Sequence, residues 1–366
     1  MKRLKLIKWT ARFVAVMGLG GAALPFSAVA DIPRGVFCLV AAGVPCPSTV
    51  LSNPNVDGVG VRQAWADLEP TEGHFNWTFL DSEVARASAA GKGVLLRILT
   101  QTGKPSWVTA AVTAAGGQFF SFEEDAKSLS IPVFWDPTFL AKKTVMITAL
   151  GAHFKNNPAV KIVAISFANA NSEDWSVPHT PDDVTAWNAV GYTSQKMLNT
   201  GKTLIDAAMV AFPNQLITLA VAGDGQLDSD VSYVARNAIA TARASWPGRL
   251  IVQKNSLGAF NPPAPGTGTV YQVLWDSRPD VAGQMLAAVY GDSTFRSNGG
   301  VPGDAATILQ STVDDSVAYG LKYLEIYERD VVSLPSVITY AHTALTGTAG
   351  SGPPAPKPPT GLHRGH

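Results

Sequence analysis

Short apolar runs of five to eight residues recur along the chain, and stretches with helical periodicity lie between several of them. Each run predicts a buried β-strand. The eight predicted strands are Gly35–Val40, Gly58–Trp65, Gly93–Leu99, Lys161–Phe167, Gln215–Ala222, Leu250–Lys254, Val281–Leu286 and Leu321–Tyr327. Thr180 offers an N-cap hydroxyl, and the Pro181 and two aspartates that follow it mark the first turn of a long helix. Strand alternating with helix eight times predicts an α/β fold, a (β/α)8 TIM barrel in a single domain.

Both ends of the chain depart from this pattern. Residues 1–30 combine a basic start, an apolar run and an Ala-x-Ala ending, which predicts a secretory signal peptide with the mature chain beginning at about Asp31. A membrane anchor is the alternative, but the apolar run is short and contains glycines, so we expect no stable membrane anchor. Residues 347–366 are rich in Pro and Gly and predict a disordered tail. The barrel is therefore expected over residues 31–346 of a secreted or periplasmic protein.

The charge balance excludes some classes of partner. The chain has 28 Lys and Arg against 28 Asp and Glu, and residues 1–30 hold five of the cations and no acid, so the mature chain carries −5. This balance argues against nucleic acid and against an anionic membrane surface as partners. Charged residues make up only 15% of the chain, below the roughly 25% usual for globular domains, which favours a neutral substrate. The pattern does not specify an oligomeric state.

Cysteine and histidine usage gives no sign of a metal or a cofactor. The two cysteines, Cys38 and Cys46, are close in sequence in a chain predicted to be exported, so we expect a disulfide that closes a small loop. The six histidines are scattered. There is no Gly-x-Ser-x-Gly elbow, no phosphate-binding loop and no His-Glu-x-x-His motif. We therefore expect neither a metal nor a cofactor.

Polar and aromatic side chains collect where the predicted strands end. In TIM barrels the active site lies at the C-terminal ends of the strands, so these residues are expected to converge. Amides and Arg hydrogen-bond sugar hydroxyls, and aromatic faces stack on sugar rings. Arg62 and Arg97 point into the barrel on strand parity. The candidate substrate-binding residues are Arg62, Trp65, Arg97, Asn169, Asn171, Trp175, Asn255, Gln284 and Tyr327.

The stretch GLKYLEIYERDV, from Gly320 to Val331, places a glutamate inside a predicted buried strand. Alternation puts Tyr323, Glu325 and Tyr327 on one face of this strand. Glutamate is rarely buried unless it is paired, because removing a carboxylate from water is costly. Glu325 is thus a structural partner of an Arg or Lys, a residue of a solvated edge strand, or a functional carboxylate.

The stretch GVGVRQAWADLEPTEGHFNWTFLDSEVARASAAGKGVLLRI resembles the second-strand to third-strand region of the large retaining clan of barrel glycoside hydrolases, nearest to the family 42 type beta-galactosidases. The shared features are an Arg-x-x-Trp strand, a Leu-Glu-Pro, a Glu-Gly turn, an aromatic residue and a Leu-Asp. The resemblance implies a glutamate acid/base after the fourth strand and a glutamate nucleophile late in the chain, which fall here on Glu173 and Glu325. Two features depart from the clan pattern: Ser172 replaces the Asn before the acid/base, and Glu325 lies on the eighth predicted strand instead of the seventh.

The residues and the resemblance together predict a secreted glycoside hydrolase. It would cleave O-glycosidic bonds of a neutral oligosaccharide or polysaccharide by a two-carboxylate, retaining mechanism. The alternative is a barrel that binds glycans without cleaving them. The separation of the Glu173 and Glu325 carboxyl groups discriminates between these hypotheses, because a retaining pair lies roughly 5 to 5.5 Å apart.

Overall fold

The structure, a computed structural model, describes residues 31–124, 127–165, 181–221 and 233–347. The predicted signal peptide and nearly all of the predicted tail lie outside these ranges, so both stay predictions. Within the described ranges, no helix is long and apolar enough to cross a membrane.

Eight parallel strands close into a barrel. In the order of their hydrogen-bonded neighbours they are β1, β10, β9, β8, β7, β6, β3 and β2, with β1 next to β2. β4 and β5 form a separate antiparallel pair inserted between the third and fourth barrel strands. The strands are β1 (Gly35–Leu39), β2 (Gly58–Ala64), β3 (Gly93–Leu99), β4 (Phe119–Glu124), β5 (Lys127–Pro132), β6 (Val160–Ile165), β7 (Leu216–Val221), β8 (Leu250–Leu257), β9 (Val281–Met285) and β10 (Tyr323–Tyr327).

Helices follow the strands as the alternating pattern predicts. Several begin at side-chain caps: Asp136 accepts a hydrogen bond from the Phe139 amide at 2.8 Å, and Asp304 accepts one from the Thr307 amide at 3.0 Å. The helices are α1 (Ser48–Leu51), α2 (Trp65–Leu68), α3 (Thr78–Ala89), α4 (Ser106–Ala114), α5 (Pro137–Phe154), α6 (Pro181–Ala189), α7 (Ser194–Ala211), α8 (Tyr233–Ser245), α9 (Val270–Asp276), α10 (Ala305–Ala318), α11 (Glu328–Ser333) and α12 (Pro335–Thr346). The predicted single-domain (β/α)8 barrel is confirmed, with each of the eight strands close to its predicted position.

The interior of the barrel is stacked in layers, because alternate residues of each strand point inward. The layer nearest the N-terminal ends of the strands is apolar and well packed. Its members are Phe37, Leu95, Ile162, Leu216, Ile251, Ala282 and Tyr323. Gly58 completes this layer without a side chain, since a Cβ there would lie 2.3 Å from the Phe37 ring. We call these residues the lower layer.

The next inward-facing positions toward the C-terminal ends are mostly polar. Strand register places Glu325 beside Gln284 and Arg97 beside Arg62 on the neighbouring strands. Arg97, Gln253, Gln284 and Glu325 are all buried. We call these four residues the upper layer, and together they form the floor beneath the C-terminal mouth of the barrel.

The third βα connection carries the β4–β5 hairpin, which packs against α6. Trp187 of α6 lies in an aromatic cluster, 4.6 Å from Phe120 and 5.2 Å from Phe134 between ring centroids. Aromatic pairs at such distances stabilise packing beyond the area that they bury. The hairpin is therefore fixed against the helix that follows the fourth barrel strand.

Candidate active site

Glu325 is held inside the barrel by a two-point ion pair. The Arg97 Nη2 donates to Glu325 Oε1 at 2.8 Å, and Nη1 donates to Oε2 at 2.9 Å. Glu325 is 0% exposed and Arg97 is 2% exposed. The planar fork of a guanidinium matches a carboxylate in this geometry, which gives strong, directional hydrogen bonds. The paired cation allows the carboxylate to be buried, and both side chains point inward as strand parity predicts.

Amide and hydroxyl groups extend this pair into a network. Gln284 Oε1 accepts a second hydrogen bond from Arg97 Nη1 at 3.0 Å. Gln253 Nε2 donates to Asn255 Oδ1 at 2.7 Å and lies 3.4 Å from Glu325 Oε1. Because these partners come from β3, β8, β9 and β10, the network ties four strands together below the mouth.

A tyrosine hydroxyl links the lower layer to the upper one. Tyr323 packs among the apolar side chains, and its hydroxyl donates to Gln253 Oε1 at 2.8 Å. Burial raises the pKa of Tyr323, and the nearby Glu325 carboxylate raises it further. The hydroxyl therefore stays protonated and keeps its role as a donor. Gln253 was not among the predicted residues, although strand parity places it on the inward face of β8 with Asn255.

Two predicted site residues form the rim above the floor. Arg62 follows Gly60 by two residues on the inward face of β2, and Tyr327 follows Glu325 by two on β10. The Tyr327 hydroxyl donates to the Leu286 carbonyl oxygen at 3.1 Å. Burial raises the pKa of Tyr327, while the Arg62 charge opposes this shift. Both side chains are half-buried and face the mouth.

Trp65 does not contact this site, and its predicted role in substrate binding is wrong. It begins α2, is fully buried, and its indole Nε1 donates to the Glu69 carboxylate at 2.7 Å. Its ring packs edge-on against Trp107, with centroids 5.9 Å apart. The reason is parity: Trp65 lies an odd number of positions from Arg62, so its side chain falls on the outer side of the barrel wall. The Glu69 carboxylate also accepts from the Gly73 amide at 2.8 Å and is structural.

The predicted disulfide is also corrected. Cys38 and Cys46 are free, buried thiols. A hydrogen bond between them raises the pKa of Cys38 and lowers the pKa of Cys46. The two side chains do meet, as their spacing predicts, but they pack as hydrogen-bonded thiols behind β1, where burial shields them from oxidants.

The remaining predicted residues are only partly accounted for. Arg62, Arg97, Asn255, Gln284, Glu325 and Tyr327 converge at the C-terminal half of the barrel. The predicted acid/base Glu173 lies outside the described residues, as do Asn169, Asn171 and Trp175, so their roles stay predictions. Within the described ranges, no group of three or more His, Cys, Asp or Glu side chains could hold a metal ion.

Comparison with a protein family extends the resemblance seen in the sequence. Residues 51–200 match the model of glycoside hydrolase family 42, described as beta-galactosidase. The resemblance to family 42 is confirmed. The match covers less than half of the chain and spans β2, β3, the β4–β5 hairpin, β6 and α6. It includes Arg62, Arg97 and the segment that contains Glu173.

Solved structures share the barrel with this chain at low sequence identity. The catalytic domain of a beta-amylase from Paenibacillus polymyxa aligns with a TM-score of 0.57 and 11% identity over 86% of this chain and 98% of that chain. A beta-galactosidase from Rahnella sp. R3 aligns with a TM-score of 0.52 and 11% identity over 87% of this chain and 57% of that chain. At this identity the likeness concerns the fold alone. No curated protein matches the sequence.

The chain is shorter than the beta-galactosidases that it aligns with. It covers 41% of one from the psychrophilic Marinomonas ef1, at 12% identity and a TM-score of 0.43 over 62% of this chain. This chain therefore spans less than two thirds of the length of the beta-galactosidases with which it aligns.

Proposed function

We propose that the protein is a glycoside hydrolase that cleaves O-glycosidic bonds of a saccharide at the C-terminal mouth of the barrel. One observation carries the proposal: Glu325 is the only carboxylate on the described barrel strands, and it lies in a network of Arg and amide side chains directly below the mouth. Carboxylates, amides and Arg are the groups that bind and cleave sugars. The match to family 42 over residues 51–200 supports the same chemistry.

In this proposal, two carboxyl groups act together. Glu173, after the fourth barrel strand, protonates the leaving oxygen as the general acid. Glu325 supplies the negative charge that opposes the positive charge developing on the sugar ring. If Glu325 attacks the anomeric carbon, the reaction retains configuration through a covalent intermediate. The two-point ion pair with Arg97 supports a Glu325 carboxylate that is fixed in orientation.

A glycan-binding barrel without catalysis is the second candidate, and two observations favour it. Glu325 is fully buried, with both oxygens bound by Arg97, whereas a nucleophile must contact the substrate. The seventh barrel strand, Val281–Met285, carries no acid, although the clan resemblance implies its nucleophile there. The two candidates therefore differ in whether bound saccharide is cleaved.

We also propose that the protein is exported. The support is the sequence pattern of residues 1–30, with a basic start, an apolar run and Ala-x-Ala. Mass spectrometry of the mature protein should give an N-terminus at about Asp31. A chain that retains Met1 in the cell would contradict export.

A panel of chromogenic aryl glycosides tests the hydrolase, with purified wild type, Glu173→Gln and Glu325→Ala compared at equal folded concentration. We expect wild type to cleave at least one glycoside and Glu325→Ala to lose that activity. Glu173→Gln should keep the first step with activated aryl leaving groups, because these need no proton. Azide added to Glu325→Ala should give a glycosyl azide of inverted configuration if Glu325 is the nucleophile. Saccharide binding with no cleavage by wild type would favour the glycan-binding barrel.

A further inference from the structure

Arg62 and Arg97 occupy paired register positions on neighbouring strands but have different partners. Arg97 lies in the floor, where the Glu325 carboxylate balances its charge. Arg62 lies beside it at the rim, on the inward face of β2. Within the described residues, no ion pair reaches the Arg62 guanidinium, and its Nε is buried without a hydrogen-bond partner. A carboxylate thus balances the charge of Arg97, and none of the described residues does so for Arg62.

The buried Nε atoms of Arg97 and Arg243 also make no hydrogen bond, but both of these arginines use their Nη atoms as donors, whereas Arg62 makes no side-chain hydrogen bond within the described residues. More than nine in ten buried polar groups in native proteins have a hydrogen-bond partner, and each exception needs an explanation. A structural Arg would normally be placed against a carboxylate, as Arg97 is. The described barrel strands give Arg62 no such residue, since they carry a single acid, Glu325, and Arg97 binds both of its oxygens.

Two neighbours of Arg62 on the inward face carry no charge. Gly60, two residues before it, has no side chain, and a Cβ there would be in ordinary contact with the Cys38 carbonyl oxygen and the Leu39 side chain at 3.6 Å and with Glu325 Oε2 at 3.9 Å. The other rim residue, Tyr327, is neutral and directs its hydroxyl to the Leu286 carbonyl oxygen. The inward-facing side chains of the described barrel strands therefore sum to one surplus positive charge, located at the rim.

We propose that Arg62 binds an anionic substituent of the saccharide, a sugar carboxylate or a sulfate ester, and so makes the site selective for acidic saccharides. The guanidinium offers two parallel N–H groups to two oxygens of such a substituent, the geometry that Arg97 already makes with Glu325. This inference rests on the proposed function in placing the saccharide at the mouth. An acidic saccharide differs from the neutral substrate that the composition predicts. The relative affinity of the protein for anionic and neutral saccharides distinguishes the two.

Matched ligand pairs test the proposal. Binding to purified protein would be measured by calorimetry for oligosaccharides of one backbone carrying either uronic acids, their methyl esters, or sulfate esters. Wild type should bind at least one anionic form about tenfold or more tighter than the neutral ester. A preference for the uronate identifies a carboxylate as the substituent, and a preference for the sulfated form identifies a sulfate ester. Equal or weaker binding of both anionic forms would overturn the proposal.

Variants assign the selectivity to one side chain. Arg62→Gln should reduce the anionic-to-neutral affinity ratio by about tenfold, and Arg62→Lys should retain part of it, because it keeps the charge but loses the fork. Arg34→Gln, at an exposed arginine near the N-terminal ends of the strands, is the control and should leave the ratio unchanged. A ratio that does not respond to Arg62→Gln would overturn the assignment. Since the readout is binding, absence of hydrolysis would count against the proposed enzyme and not against this selectivity.

Discussion

The lower and upper layers of the barrel interior come from the same strands but are built by opposite chemistry. The lower layer is filled by aliphatic and aromatic side chains so closely that Gly58 has no room for a methyl group. The upper layer is filled by one ion pair and the amides that surround it. Close apolar packing stabilises a fold directly, whereas a buried ion pair contributes little net stability because its desolvation offsets its attraction. The difference indicates that the lower layer serves the fold and the upper layer serves the site.

Breaking the ion pair on one side should have the largest effect on stability. Glu325→Ala removes the carboxylate that pairs with the buried Arg97 guanidinium, so we expect a loss of about 3 to 5 kcal/mol in the free energy of unfolding. Urea denaturation of wild type and variant measures this loss. A loss below about 1 kcal/mol, the range of an exposed pair, would show that Arg97 reaches water or another acid in solution.

Overfilling the lower layer should have a smaller effect with a different cause. Gly58→Ala places a methyl group against the Phe37 ring, and we expect a cost of about 1 to 3 kcal/mol from overpacking. The double variant Gly58→Ala/Phe37→Leu should recover part of this loss, since the smaller side chain removes the clash. If Gly58→Ala alone is as stable as wild type, the lower layer is not closely packed, and close packing does not distinguish it from the upper layer.

The chain has a second buried carboxylate that is bound differently from Glu325. Backbone amides donate to it, whereas Arg97 donates to Glu325. Asp330, in α11, is fully buried and accepts hydrogen bonds from the Val289 and Tyr290 amides at 2.8 to 3.0 Å. Burial raises its pKa and these hydrogen bonds only partly oppose the shift. Its contribution to stability is therefore fully present below the unfolded-state pKa of about 3.9 and is lost as the pH rises through the higher folded-state pKa.

The smallest expected effect is the pH dependence that follows. The stability of wild type relative to Asp330→Asn should decrease from pH 4 toward pH 7, measured by urea denaturation at each pH. The exposed Asp67, changed to Asn, provides the control for loss of a carboxylate that is not buried. A relative stability that increases with pH would mean that the amide hydrogen bonds outweigh burial and lower the pKa of Asp330.

Pattern alone was sufficient for the barrel and for the direction of several side chains. The strands were predictable because short apolar runs between helical stretches form few structures other than buried β-strands. Parity placed Arg62, Arg97 and Glu325 on the inward face, and counting strands placed Glu325 on the eighth, as the structure has it. These predictions depend on local periodicity, which a single sequence contains.

Contacts between distant strands could not be predicted in the same way. That Glu325 pairs with Arg97, 228 positions away, follows from barrel closure and side-chain reach, which no local pattern encodes. Trp65 was misjudged because its aromatic character outweighed parity, although parity alone places it in the outer core. Cys38 and Cys46 were expected to be bonded because their spacing shows proximity but not oxidation state.

The claim that the upper layer serves the site is tested by removing the Arg97–Glu325 ion pair while keeping the interior packed. In the double variant Arg97→Met/Glu325→Leu, no buried charge is left unpaired, so the protein should be more stable than Glu325→Ala. The measurement is its kcat/KM on the aryl glycoside that wild type cleaves best. If the upper layer serves the site, the folded double variant should lose at least about a hundredfold in kcat/KM. Activity within twofold of wild type would contradict the account and leave the Arg97–Glu325 pair as part of the fold alone.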